Sequence, residues 1–392
     1  MNHVLPIFLT RRGRSPVIAL AAGLALALGL SGCGSDAAPT AAAGGSSAST
    51  GALADEVAKM SAPLDSFPVP TEPITGVDAL KGKTVYYIPL TQQAPAFTVT
   101  AAALAEALGT VGVKSQVCDG GANPSAISAC INQAVGARAA GIVTDAIPYV
   151  MAANALDAAQ KAGVPVLVAD QIPDGAHPAG PTLAYQEGAG TEMLEAVSKW
   201  IVVNSKGTAK VVLNMATDNP SSIQYAKAGE KVLTEQCPGC KVTVNQVTAA
   251  NFSLISSSTS SAILKTPGVN YVISEFDNYL QPTIGGVQQS GKTAAVKGVS
   301  SAATLASLKM VKDQNFLHAE AAQALPYQGW TLADAIMRLA LKQKVLDLEV
   351  PFRLFTRDNI ADVTLTEQAE SSGEWFGPVG FKDQFRTTWG LS

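Results

Sequence analysis

Basic and nucleophilic side chains are scarce in this chain, and their scarcity narrows its function first. Histidine occurs only at His3, His177 and His318. Arginine is absent between Arg138 and Arg338. A guanidinium fork is the best protein partner for a carboxylate or phosphate, so this gap argues against an anionic ligand. Helix N-termini remain the one alternative anion holder. Charged residues make up 15% of the sequence and the net charge is −4, which provides no basic field for nucleic acid. No GxSxG, HExxH, phosphate-loop or metal-spaced cluster is present. Neither an enzyme nor a metal or other cofactor is therefore expected. The serine-rich run from Ser256 to Ser261 reads as a polar helix face or loop.

What is present describes a globular chain. Of the 392 residues, 47% are hydrophobic, enough for two lobes that each bury a core. Arg11, Arg12 and Arg14 precede an apolar run, 17–30, that is too short to span a bilayer comfortably. It ends in Leu30-Ser31-Gly32-Cys33, which resembles the lipobox of bacterial lipoproteins. That resemblance implies lipid on Cys33 and attachment to the extracytoplasmic face of the cell membrane. Residues 34–73 are rich in Gly, Ser, Ala, Pro and Thr, a composition that buries too little to fold and suits a tether. Within it a short helix is expected at 53–60.

Between Lys83 and Gln171 the apolar pattern alternates between two periods. Continuous runs at 85–90, 113–117, 141–144 and 164–169 read as strands buried on both faces. Between them, Val99, Ala103, Leu104, Ala107, Leu108 and Val111 recur at helical steps, as do Ile127, Cys130, Ile131, Ala134 and Val135. This is the signature of βαβ units, whose ligands bind beyond the carboxyl ends of the strands. Those ends carry Thr91-Gln92-Gln93, Cys118-Asp119, Asp145-Ala146-Ile147 and Asp170-Gln171, a set suited to binding. The alternation repeats after Tyr185.

Two phrases, Pro89-Leu90-Thr91-Gln92-Gln93-Ala94-Pro95-Ala96-Phe97 and Ala162-Gly163-Val164-Pro165-Val166-Leu167-Val168-Ala169-Asp170, resemble the type I periplasmic solute-binding proteins, the sugar-binding members above all. The resemblance runs from Lys83 to Asp362. It implies an α/β fold of two Rossmann-like lobes, parallel sheets flanked by helices, joined by a three-segment hinge. Crossings are expected near 181–185, 323–325 and 350–355. The implied layout is 1–32 signal, 33–76 lipidated cysteine and flexible linker, 77–182 with 324–350 as first lobe, and 183–323 with 351–392 as second.

The family's ligand contacts carry over to Phe97 with Gln92 or Gln93, to Asp170, to Asp277 with Asn278, and to the hinge glutamine Gln323. Asn219, Gln224 and Tyr225 fall where second-lobe contacts lie, and Asp145 stands near the family's aspartate after the third strand. The family's arginine contacts are missing. A neutral sugar or polyol, or an amine facing Asp145, Asp170 or Asp277, suits these residue types. The implied function is a monomeric lipoprotein that captures a small ligand by hinge closure and delivers it to the permease of an ABC importer. The alternatives are a sensor for a membrane receptor kinase and a surface hydrolase using the cleft carboxylates.

Four cysteines remain beside Cys33. Pro238-Gly239 between Cys237 and Cys240 specifies a turn whose ends suit a structural disulfide. Cys118 with Cys130 would tie a strand end to the next helix. Both pairs fit an oxidising compartment. Trp375, Phe376, Phe381, Phe385 and Trp389 in the C-terminal tail are expected to pack against the body.

Overall fold

The computed structural model of the chain describes residues 44–391. The signal segment, Cys33 and the first part of the tether lie outside the described residues. The first sheet contains β1 (Thr84–Pro89), β2 (Lys114–Val117), β3 (Gly141–Asp145), β4 (Val166–Ala169) and β5 (Leu183–Gln186). Their order is β2-β1-β3-β4-β5, all parallel. The runs read as doubly buried strands are so in β1, β3 and β4, whereas β2 is a largely exposed edge. The second sheet contains β6 (Lys210–Ala216), β7 (Lys241–Val247), β8 (Tyr271–Ser274), β9 (Lys297–Ser301), β10 (Leu317–Gln323) and β11 (Phe352–Thr356). Its order is β11-β10-β9-β8-β6-β7, parallel except for β11, which runs antiparallel to β10.

Helices cover both sheets: α1 (Gly44–Ser61), α2 (Pro95–Thr110), α3 (Pro124–Gly136), α4 (Ala153–Lys161), α5 (Gly190–Asn204), α6 (Pro220–Glu235), α7 (Ile255–Lys265), α8 (Leu280–Gln289), α9 (Leu305–Lys312), α10 (Leu325–Ala340), α11 (Glu367–Ser372) and α12 (Phe381–Thr388). Proline at the start of α2, α3 and α6 fixes the entering φ where a backbone N–H has no helical partner to lose. Asn123 caps α3 by accepting from Ser125 N at 2.8 Å, and Asn219 caps α6 by accepting from Ser222 N at 2.9 Å. Helices α2 and α10 approach closely at Gly329, where any Cβ would meet Ala103. Both cysteine pairs are disulfides, with Cα separations of 5.8 Å for Cys118–Cys130 and 5.3 Å for Cys237–Cys240.

The structure departs from the expected lobe boundaries in three places. Leu183–Gln186 is the edge strand of the first sheet, so the first crossing follows Gln186 instead of preceding it. The described part of the tether is ordered. Leu53, Val57 and Met60 form a helical stripe that docks α1 on the second lobe, and Phe67 stacks on Tyr327 of the first at 5.3 Å. From Val363 onward the C-terminal tail packs on both lobes, Trp375 and Phe376 against Phe355 of β11 and Phe381, Phe385 and Trp389 against α10 of the first lobe, whereas 351–392 was expected to belong to the second. Trp389 stacks on Trp330 with ring centroids 5.4 Å apart, and its Nε1 donates to Asp334 Oδ1 at 2.8 Å. Arg338 pairs with Asp334 at 2.6 Å and donates to Glu72 O, tying α10 to the stretch that follows α1. The physical cause is apolar area: α10 is buried on every side, and the sheet alone cannot cover it. Glu370 of α11 accepts from Leu305 N at 2.7 Å, so the tail also grips the second lobe.

Phe385 lies fully buried in this aromatic cluster. Phe385→Ala is expected to lower unfolding free energy by about 3–5 kcal/mol, as large cavities in packed cores do. Leu264→Ala, at an exposed position, should change it by less than about 0.5 kcal/mol. Paired denaturant melts check both.

Candidate ligand-binding cleft

The carboxyl ends of both sheets face a cleft between the lobes, about 150 Å³ in volume. From the first lobe, the turns after β1, β3 and β4 and the first turn of α2 reach it. From the second come the turns after β6, β8 and β9 and the start of α6. Three residues at these strand ends hold left-handed backbone without being glycine: Ala146 (φ 55°), Asp170 (φ 52°) and Ala302 (φ 62°). Each costs local strain, which persists only where surrounding structure enforces it.

Among the candidate residues, Phe97, Asp170, Asn219, Tyr225, Asp277, Asn278 and Gln323 line the cleft together. Asp170 accepts from Gln328 Nε2 at 2.8 Å and from Gln323 Nε2 at 3.2 Å. Gln323 Oε1 in turn accepts from Ala189 N at 2.8 Å, which links the end of β10, the turn after β4 and the start of α5. Gly188 is required beside them, because a Cβ there would overlap Asp170 Oδ1 and Gln323 Oε1. Across the cleft, Tyr225 packs on Gly190, and Ser221 Oγ both accepts from Ile172 N and donates to Gln171 Oε1, each at 3.1 Å. These bonds join the lobes along one flank.

Asp145 does not line the cleft. It is fully buried beneath Asp170 and accepts from Tyr87 Oη at 2.5 Å. Burial, then the neighbouring Asp170 charge, raises its pKa well above the usual carboxylate range. Gln92 and Gln93 are exposed on the turn before α2, where Gln92 N is held by Asp119 Oδ1 at 3.0 Å, and Thr91 and Ala94 of that turn stand on the cleft wall. Gln224 points from the outer face of α6 to a separate recess beside Tyr149 and Tyr185. Helical geometry explains it: Tyr225, one residue on, is turned by about 100° toward the cleft.

Asp218 and Thr304 line the cleft but were not among the candidates. Asp218 accepts from Ala249 N at 2.9 Å and from Tyr279 Oη at 2.9 Å. The strand-end position that marked Asp170 and Asp277 marks it equally. Thr304 donates to Asp277 Oδ2 at 2.9 Å. Burial still pushes Asp277 up to about 6, against the help of that hydroxyl. Beneath the cleft floor Glu275 and Glu320 are fully buried, and burial raises both well above the usual range. No Lys, Arg or His occurs among the lining residues.

Asp277 gives a pH-dependent test. Its folded pKa of about 6 lies above the ordinary value of 3.8. Between those values the folded state holds a proton that the unfolded state has released, so stability falls as pH rises through that window. Asp277→Asn is therefore expected to stabilise the protein by about 1–3 kcal/mol at pH 7–8, with the gain vanishing near pH 4. Denaturant melts across that range measure it; an equal effect at both ends would contradict the burial cost.

A family model described as a periplasmic binding protein domain matches residues 85–344. No curated protein matches the chain in sequence. Among solved structures, it resembles a 5-methylthioribose transporter solute-binding protein from Thermotoga lettingae, solved with 5-methylthioribose. That match has 17% identity and a TM-score of 0.65, covering 81% of this chain and all of the other. An ABC transporter solute-binding protein from Agrobacterium vitis bound to alpha-D-tagatopyranose matches at 14% identity and a TM-score of 0.64, covering 72% and 97%. One from Bacillus halodurans with myo-inositol matches at 17% and 0.61, covering 72% and 97%. These likenesses agree with the two-lobed α/β architecture, and the matched family consists of binding proteins, not enzymes. The chain belongs to the periplasmic binding protein family.

Proposed function

We propose that this protein captures a hydroxylated ligand of sugar or polyol size in the cleft and presents it to an ABC importer. One observation carries the reading: aromatic faces and hydrogen-bonding side chains from both lobes converge on one small cleft at the strand ends. Phe97, Tyr225, Phe276 and Tyr279 offer flat apolar surface. Asp170, Asp218, Asn219, Asp277, Asn278, Thr304 and Gln323 offer acceptors and amides around it. A polyhydroxylated ring needs that combination, an apolar face to stack on and a rim of partners for its hydroxyls. The similar structures with bound 5-methylthioribose, alpha-D-tagatopyranose and myo-inositol support a ligand of this class.

The mechanism is hinge closure. Bonds at Asp170, Gln323 and Ser221 hold one flank of the lobes together, so the opposite side opens to admit ligand and shuts over it. The closed, liganded form is what a permease recognises, and the importer's own ATPase supplies the energy. No helix among the described residues is long and apolar enough to cross a membrane. Attachment falls to lipid on Cys33, and α1, docked on the second lobe, is where the tether meets the body. Cys33→Ser should then move the protein from the membrane to the soluble fraction.

Thermal unfolding against a panel of sugars and polyols tests the binding reading. A ligand at a hundredfold its dissociation constant should add about 2.7 kcal/mol of stability and be recovered unchanged. Phe97→Ala should weaken that ligand about tenfold by removing its stacking surface. No stabilisation by any member would sink the assignment.

A further inference from the structure

The two walls of the cleft differ in what they offer a ligand. The second-lobe wall carries Asp218, Asn219, Asp277, Asn278 and Thr304. The first-lobe wall carries Leu90, Ala94, Ala96, Phe97, Ala146 and Leu325. Three polar residues expected on that wall, Gln92, Gln93 and Asp145, lie off it. Thr100 and Gln171 reach it but are committed elsewhere. Thr100 Oγ1 donates to Gln328 Oε1 at 3.5 Å, Gln171 Nε2 donates to Asp170 O at 2.7 Å, and Gln171 Oε1 accepts from Ser221 Oγ at 3.1 Å. The Asp170 carboxylate and the Thr91 hydroxyl are the polar side-chain groups left on this wall for a ligand.

Backbone groups do not make up the difference. Leu90 N donates to Asp145 O at 2.9 Å, Ala146 N to Ala169 O at 3.0 Å and Asp170 N to Gln186 O at 2.9 Å. At the starts of α2 and α10, Pro95 and Pro326 have no N–H, and Phe97 N and Gln328 N are taken by Ala94 O and Ala324 O. Ala146 sharpens the contrast. Its left-handed turn (φ 55°) is one that Asn or Asp adopts more readily, yet the side chain there is a methyl group. A sugar with hydroxyls around its whole rim would find partners on one wall and few on the other. Hydroxyls beyond the reach of Asp170 and Thr91 would lose water against apolar carbon, the cost of an unpaired buried group. A ligand with carbon at that edge avoids this cost and gains by burying apolar area.

We infer that the ligand is amphipathic: a sugar whose hydroxyls face Asp170 and the second lobe, and which turns a deoxy, alkyl or aryl edge to the first-lobe wall. This rests on the reading of the cleft as a sugar- or polyol-binding site and specifies which side of the ligand is apolar.

Isothermal titration of the purified protein tests this with matched pairs, each apolar member beside a more polar parent. The probes are D-quinovose with D-glucose, D-fucose with D-galactose, L-rhamnose with L-mannose, and phenyl with methyl β-D-glucoside. At least one apolar member should bind about tenfold or more tighter than its parent, the scale set by one unpaired buried hydroxyl. Its binding should also show the more negative heat-capacity change that apolar burial brings. Leu90→Gln and Ala96→Ser, which set hydrogen-bonding groups in the wall, should each narrow that ratio, and each variant's circular dichroism reports its folding separately. Parents that bind as tightly as their apolar partners would overturn the inference and leave the sugar-binding function standing. A ratio unchanged in both folded variants would overturn the placement of the apolar edge. Failure of every probe to bind would overturn both the inference and the sugar-binding reading.

Discussion

The hydrogen-bond node at Asp170 is the constraint on which the rest of the structure depends. A single carboxylate at the end of β4 receives Gln328 from α10 and Gln323 from the end of β10. Gln323 also holds the start of α5 through Ala189 N. First-lobe strand, first-lobe helix, second-lobe strand and second-lobe helix therefore meet at one group that also faces the cleft. Asp170 takes a left-handed backbone to do so, and Gly188 leaves room for it. A ligand touching Asp170 touches the hinge directly, which is the shortest physical route from occupancy to closure.

Burial and charge follow from that arrangement. Asp145 beneath the node is pushed toward its protonated form by desolvation and by Asp170, and Tyr87 gives it a donor. Glu275 and Glu320 under the second-lobe wall are pushed the same way by burial. The floor is thus a layer of acids whose burial disfavours their charged form. Buried acids without counter-ions cost stability, and the aromatic belt around α10 is among the interactions that offset it. That belt, built from Phe67 at one end of the described chain and Phe381, Phe385 and Trp389 at the other, also ties the two ends together over the first lobe.

Much of this was legible in the sequence, for identifiable reasons. Strands such as β1 and β4 announce themselves because a doubly covered parallel sheet demands unbroken apolar runs. The cleft positions of Asp170 and Asp277 were legible because α/β topology places the ligand cleft beyond strand ends, and Asp218 satisfies the same rule at β6. Gln92, Gln93 and Gln224 lie off the cleft wall because a turn or a helical step of one residue decides which side chain faces inward, and composition carries no such angle. The packing of Trp389 on Trp330 and the ordered stretch after α1 join residues far apart in the chain. Their partners are set by tertiary fit, which leaves no local period to read.

Small-angle X-ray scattering of the protein, ligand-free and saturated with the compound that stabilises it most, tests hinge closure most directly. The account predicts a smaller radius of gyration on binding, and loss of that contraction in Gln323→Ala, whose removed amide uncouples Asp170 from β10. An unchanged radius in the wild-type protein at saturation would contradict closure, and full contraction in the variant would contradict the role of the node.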